Sequence, residues 1–135
     1  MKLSDFNIKE ILKFLVGGGS AVLTDAAVYY LLQLTGVELF ASKAVSYVCG
    51  AAVGFIINKL WTFGVNKFSI SEILRYCILY ACTAVINALI NSAVLHFLSI
   101  QLIAFLCATG VSTVLNFLGQ KFIVFRKTKK EESNK

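Results

Sequence analysis

Four stretches of this chain, at about residues 11–34, 39–61, 73–98 and 100–124, carry almost no charge. Each exceeds the ~20 residues that a helix rising 1.5 Å per residue needs to cross a hydrocarbon core of ~30 Å. With 135 residues in all, four spans leave only short connections and two tails. The composition agrees: 58% of residues are hydrophobic and 15% charged, whereas a soluble domain is about 45–50% apolar and roughly a quarter charged. The expectation is an all-α membrane protein with four transmembrane helices, one transmembrane domain over residues 1–126 and a charged cytoplasmic tail at 127–135. No room remains for an aqueous catalytic domain, so the chain is not expected to be an enzyme.

Polar residues 1–10 lead into the first span with no small-residue cleavage site after a short apolar core, so that span is expected to be retained rather than removed as a signal peptide. The cations are distributed unevenly. Lys2, Lys9 and Lys13 precede or open span one, Lys59, Lys67 and Arg75 flank the link between spans two and three, and Lys121, Arg126, Lys127, Lys129, Lys130 and Lys135 close the chain. These are 12 of the 13 basic residues, with Lys43 alone on the other side. The sequence pI near 9.3 therefore reads as a positive inner face, not as nucleic-acid binding, and places both termini in the cytoplasm.

Cys49, Cys77, Cys82 and Cys107 all fall inside apolar spans without paired spacing, and His96 is the one histidine, so neither a metal nor a disulfide framework is expected. No G-x-x-x-x-G-K-[ST] phosphate loop is present. No cofactor is expected, and any transport must run downhill or borrow a gradient.

Sliding the sequence along itself lays the segment from Phe6 to Phe14 over that from Phe68 to Tyr76, with five of nine positions identical. The same offset sets Asp25 over Asn87, Phe55 over Phe117, Lys59 over Lys121 and Phe63 over Phe125. Registration of acids, bases and aromatics across two helices points to two related helical hairpins, at about 6–63 and 68–125. Because each holds two spans, both enter from the cytoplasm and the repeats are parallel. Each opens with a short lead, Asn7–Leu12 or Ser69–Leu74, read either as an amphipathic interfacial helix or as the first turns of the span. The chain lacks proline, so breaks are expected only at glycine, for instance at Gly17-Gly18-Gly19. Ser46, Gly50 and Gly54, with Ala108, Ser112 and Asn116 at the matching positions, put small side chains on one face of spans two and four, where backbones can approach closely. Ser99-Ile100-Gln101 leaves spans three and four a tight connection.

Asp25 lies beyond Lys13 on span one, by ~18 Å along a helix, which puts a carboxylate near the middle or outer half of the bilayer. There it costs several kcal/mol unless paired, protonated or wet, which makes it either a functional group or a hydrogen-bonded glue between helices. Thr83, Asn87 and Asn91 recur every fourth position and form a polar stripe on span three, a path lining or an interhelical seam. At the cytoplasmic end, Asn58-Lys59-Leu60-Trp61-Thr62-Phe63 closes span two and Gln120-Lys121-Phe122-Ile123-Val124-Phe125 closes span four. Lys59, Lys121, Lys13 and Arg75 at one depth can hold a lipid phosphate, with Asn58, Asn116 and Gln120 bonding a head group. Trp61, Phe63 and Phe125 supply an aromatic rim. Snorkelling and interfacial anchoring account for any one of these residues alone.

These motifs resemble those of the GtrA-like membrane proteins. The resemblance runs from Lys13-Phe14-Leu15-Val16-Gly17-Gly18 and Asp25 to the two span-ending segments, where the family pattern reads N-F-x-x-N-R-x-W-T-F. This chain departs from it with Gly54 for the first Asn, Lys59 and Lys121 for both Arg, Gln120 for Asn and Ile123 for Trp. Lysine keeps the charge of arginine but loses its bidentate fork.

The resemblance implies translocation of a polyprenyl-phosphate-linked sugar across the cytoplasmic (inner) membrane of a bacterium, for cell-surface polysaccharide or teichoic acid glycosylation by membrane glycosyltransferases. Membrane lipid is a further expected partner and nucleic acid is not, while monomer and homo-oligomer both stay open. Two alternatives stay open: a non-transporting membrane subunit that stabilises a glycosyltransferase, and a small four-helix exporter of cationic compounds that uses Asp25.

Overall fold

The computed structural model describes residues 6–126. Lys2 and the basic residues of the tail at 127–135 lie outside that range. The described residues hold helices and no strand. In chain order they are α1 (Ile8–Leu34), α2 (Leu39–Ile57), α3 (Ile70–Leu98) and α4 (Gln101–Gly119); α2 and α4 each run on into a five-residue π-helical segment, π1 (Asn58–Thr62) and π2 (Gln120–Val124). All four helices are long and apolar enough to cross a membrane. The chain divides into two compact units, Met1–Asn66 and Lys67–Lys135, each a helical hairpin.

In the first unit, Asn7 starts α1: its side-chain oxygen accepts from the Lys9 amide at 3.0 Å, satisfying one of the orphan donors of the first turn. The helix stops at Gly36, whose φ of +82° suits glycine. The Gly36 amide donates to the Gln33 carbonyl and the Val37 amide to the Leu32 carbonyl, both at 3.1 Å, the paired bonds of a Schellman motif. Gln33 Nε2 then reaches Ser42 Oγ at 2.8 Å and ties the turn to α2.

The face of α2 that meets α1 is built from small residues. Ser42 and Ser46 are fully buried, and Gly50 sits so close to α1 that a Cβ there would lie 2.6 Å from the Ala21 carbonyl oxygen and 3.1 Å from Asp25 Cβ. In lipid the hydrophobic effect does not drive helices together, so this approach, with its dispersion and polar contacts, is what holds the hairpin.

The second unit follows the same plan. Ser69 starts α3 by accepting from the Ser71 amide. Ser99 ends it in the left-handed region, with φ 54°, and donates its amide to the Leu95 carbonyl. Only Ser99 and Ile100 separate α3 from α4, which is the tight connection expected. Ala104, Ala108 and Ser112 are buried along one face of α4.

Of the two readings of the leads one is borne out, and the expectation about the glycine run is corrected. The leads Asn7–Leu12 and Ser69–Leu74 are not separate interfacial helices: Asn7 and Ser69 are caps, and the residues after them are the first turns of α1 and α3. Nor does α1 break at its glycine run. Helix α1 runs through Gly17, Gly18 and Gly19, and Gly17 is the seat for the Asn58 side chain, where a Cβ would collide. The irregularity lies instead in π1 and π2, where the amides of Phe63 and Phe125 donate five residues back to Asn58 and Gln120, at 2.9 and 2.8 Å. The widened turns bury residues in adjacent pairs, Asn58 with Lys59, Thr62 with Phe63, Gly119 with Gln120 and Val124 with Phe125.

Candidate functional site

The last carbonyls of a helix have no intrahelical partner and carry the negative end of its dipole, so cations gather there. In the first unit the Lys13 amino group lies 3.4 Å from the Trp61 carbonyl oxygen and 5.4 Å from the centroid of the Trp61 ring. In the second, Arg75 Nη1 donates to the Ile123 carbonyl oxygen at 2.9 Å, while its Nε and Nη2 donate to the Ser71 carbonyl and hydroxyl oxygens. The repeat offset carries Lys13 onto Arg75 and Trp61 onto Ile123.

Behind these contacts lie the buried amides. Thr62 Oγ1 donates to Asn58 Oδ1 at 3.2 Å, and Phe14 packs on Phe63. Gln120 Nε2 donates to the Tyr80 hydroxyl at 3.1 Å, and the Tyr80 ring stacks 4.4 Å from that of Tyr76. Tyr80 and Tyr76 are site residues that the sequence did not single out; their spacing of four, one turn before Thr83, is the signal that was there to find.

The matched lysines differ. Lys59 is fully buried, whereas Lys121 is partly exposed, with its amino group 5.7 and 5.9 Å from the centroids of the Phe117 and Phe122 rings. Of the expected aromatic rim, Trp61 is exposed, and Phe63 and Phe125 are enclosed by protein.

Asp25 has a partner that charge counting hid. Lys43, the one cation set apart in the charge count, places its amino group 2.6 Å from Asp25 Oδ2, and Ser46 Oγ donates to Asp25 Oδ1, also at 2.6 Å. An ion pair with an added hydroxyl is what makes a carboxylate tolerable at membrane depth. Both partners were readable as one face of α2, three residues apart across the turn at Gly36.

In the second unit the polar link takes another form. Thr83, buried in α3, donates to Asn116 Oδ1 at 2.8 Å, and Ser112 Oγ lies 3.4 Å from the Thr83 carbonyl oxygen. The stripe expected on α3 is thus brought to α4 at Thr83 only. Asn87 and Asn91 are half-buried and their side chains make no hydrogen bond among the described residues.

A family model described as "GtrA/DPMS, transmembrane domain" matches residues 13–125. Two membrane proteins of Bacillus subtilis (strain 168) are similar along most of their length, and both are described as uncharacterised. YwcD is 21% identical over 122 residues, covering 87% of this chain and 96% of its own. YngA is 28% identical over 119 residues, covering 87% of this chain and 80% of its own.

Proposed function

This multi-pass chain belongs to the GtrA/DPMS transmembrane domain family, and from that membership we propose that it moves a polyprenyl-phosphate-linked sugar across the inner membrane of a bacterium without making or breaking a covalent bond. The observation that carries the reading is the family match over residues 13–125, which takes in both hairpins and both π segments. The product would serve membrane glycosyltransferases that decorate cell-surface polysaccharide or teichoic acid.

The proposed architecture is two parallel two-helix repeats with both termini cytoplasmic. Support comes from the elements themselves: the offset that carries Ile8, the start of α1, onto Ile70, the start of α3, also carries the start of α2 onto that of α4 and the start of π1 onto that of π2. The contacts of Lys13 with Trp61 and of Arg75 with Ile123 repeat at the same offset. The cation bias supports the orientation.

In this reading Lys13, Arg75 and Lys121 draw the lipid phosphate to the cytoplasmic end by charge-assisted hydrogen bonds. Lys59, enclosed beside Asn58, contributes positive potential there. Asn58, Gln120, Thr83, Asn116, Asn87, Asn91 and Asp25 provide polar surface for the head group. Export of cationic compounds is a poorer match, since Asp25 already holds Lys43 and Ser46.

Titration of the purified protein with farnesyl phosphate and with uncharged farnesol tests the proposed lipid. The phosphate ester should bind selectively, and Lys13→Met, Arg75→Met and Lys121→Met should each weaken it about three- to tenfold, the worth of one charge-assisted hydrogen bond or less. Equal binding of the two lipids would remove the phosphate from the account.

A further inference from the structure

The second unit builds its hairpin without any charge at the depth of Asp25. The repeat offset carries Asp25, Tyr29, Lys43 and Ser46 onto Asn87, Asn91, Phe105 and Ala108. A hairpin of this kind therefore closes on uncharged residues, and the ion pair of the first unit is more than packing requires. Ionisable groups at membrane depth are costly, so one that folding does not demand points to recognition.

The chemistry of the cluster is specific. Lys43 Nζ lies 2.6 Å from Asp25 Oδ2 and 5.8 Å from the centroid of the Tyr29 ring, so a carboxylate, an ammonium and a flat aromatic face converge within one small patch. Asp25 keeps acceptor capacity, because each of its oxygens takes one hydrogen bond, and Lys43 keeps donors beyond the one given to Asp25. The patch is open, with the Lys43 side chain 58% and the Asp25 side chain 22% exposed. Its charges cancel, which suits neither an anion nor a cation. An uncharged pyranose matches all three groups: its hydroxyls donate to the carboxylate and accept from the ammonium, and its C–H face lies on the tyrosine ring.

We propose that Asp25, Tyr29 and Lys43 form a binding subsite for a neutral monosaccharide, carried by the first unit alone. This rests on the translocation reading above and assigns the head group's sugar to one of the two hairpins, at a station ~18 Å along α1 from Lys13 that the sugar occupies once its phosphate has left the cytoplasmic end.

The test measures binding of two probes to the purified protein in micelles: farnesyl phosphate, and the same lipid bearing a neutral hexose on its phosphate. The wild type should bind the hexose-bearing probe at least about tenfold more tightly, the discrimination that hydrogen bonds to hydroxyls give. Asp25→Asn and Tyr29→Leu should each abolish most of that preference and leave binding of farnesyl phosphate unchanged. Tyr29→Leu keeps the Asp25–Lys43 ion pair intact, so it carries the test if Asp25→Asn does not fold. Equal wild-type binding of the two probes overturns this inference alone. So does loss of both affinities together in the variants, which would make the cluster a structural or general electrostatic element. Binding of neither probe overturns the translocation reading, and this inference with it.

Discussion

Lys59 and Lys121 occupy one place in the sequence pattern, yet Lys59 is enclosed and Lys121 is not. Truncating a buried charged group strands whatever it was bonded to, at a cost of about 3–5 kcal/mol, whereas a partly exposed cation near ring faces contributes roughly 1 kcal/mol. Lys59→Met should therefore lower the melting temperature or folded yield in detergent sharply. Lys121→Met should leave stability nearly unchanged and show its effect in lipid binding. Comparable melting of the two variants would contradict the assignment. The motif alone could not separate them, because enclosure is decided by the packing around each π segment and not by the local string of residues. Asp25 gives the complementary case: its cost at membrane depth was legible, but its pairing with Lys43 follows from the hairpin register, set by the turn at Gly36 and the close approach at Gly50.

At the scale of the element, hydropathy located the spans well: α1 and α3 begin at Ile8 and Ile70, one turn before the apolar runs at 11 and 73. The π segments were not legible, since the apolar composition continues through them and, although Gly119 directly precedes π2, neither proline nor glycine marks the start of π1. Two variants probe these elements. Gly50→Ala places a methyl against the Ala21 carbonyl and Asp25 Cβ, forcing α2 outward, and should cost about 1–3 kcal/mol of stability. A thermal melt in detergent reads it, and Gly18→Ala, which faces open space, is the control. Arg75→Met removes the donor to the Ile123 carbonyl. The expected result is severalfold faster amide hydrogen exchange at Phe125, whose bond to Gln120 closes π2, since one such bond contributes about 1 kcal/mol to local stability. Exchange at Phe63 should not change. Faster exchange at both sites would mean that Arg75 acts on the whole chain and not on the end of its own hairpin.

As a whole, the molecule turns its large apolar side chains outward. Val22, Leu23, Tyr30, Leu34, Ile70 and Phe97 are all more than two-thirds exposed, which only a lipid surround makes stable. The sequence carried this much because four long apolar runs admit few folds. The orientation proposed from the charge bias is tested by cysteine labelling: single cysteines replacing Val37 and Arg126 should be modified from opposite sides of sealed vesicles, and labelling from the same side would contradict it. Proteoliposomes holding a polyprenyl-phosphate hexose in both leaflets put the proposed transport itself to the test. An impermeant reagent that destroys only outer-leaflet sugar should consume about half of the lipid in protein-free vesicles. With the protein present it should consume nearly all, at a rate that falls in the Asp25→Asn variant. Consumption that stops at half whether or not the protein is present would contradict translocation.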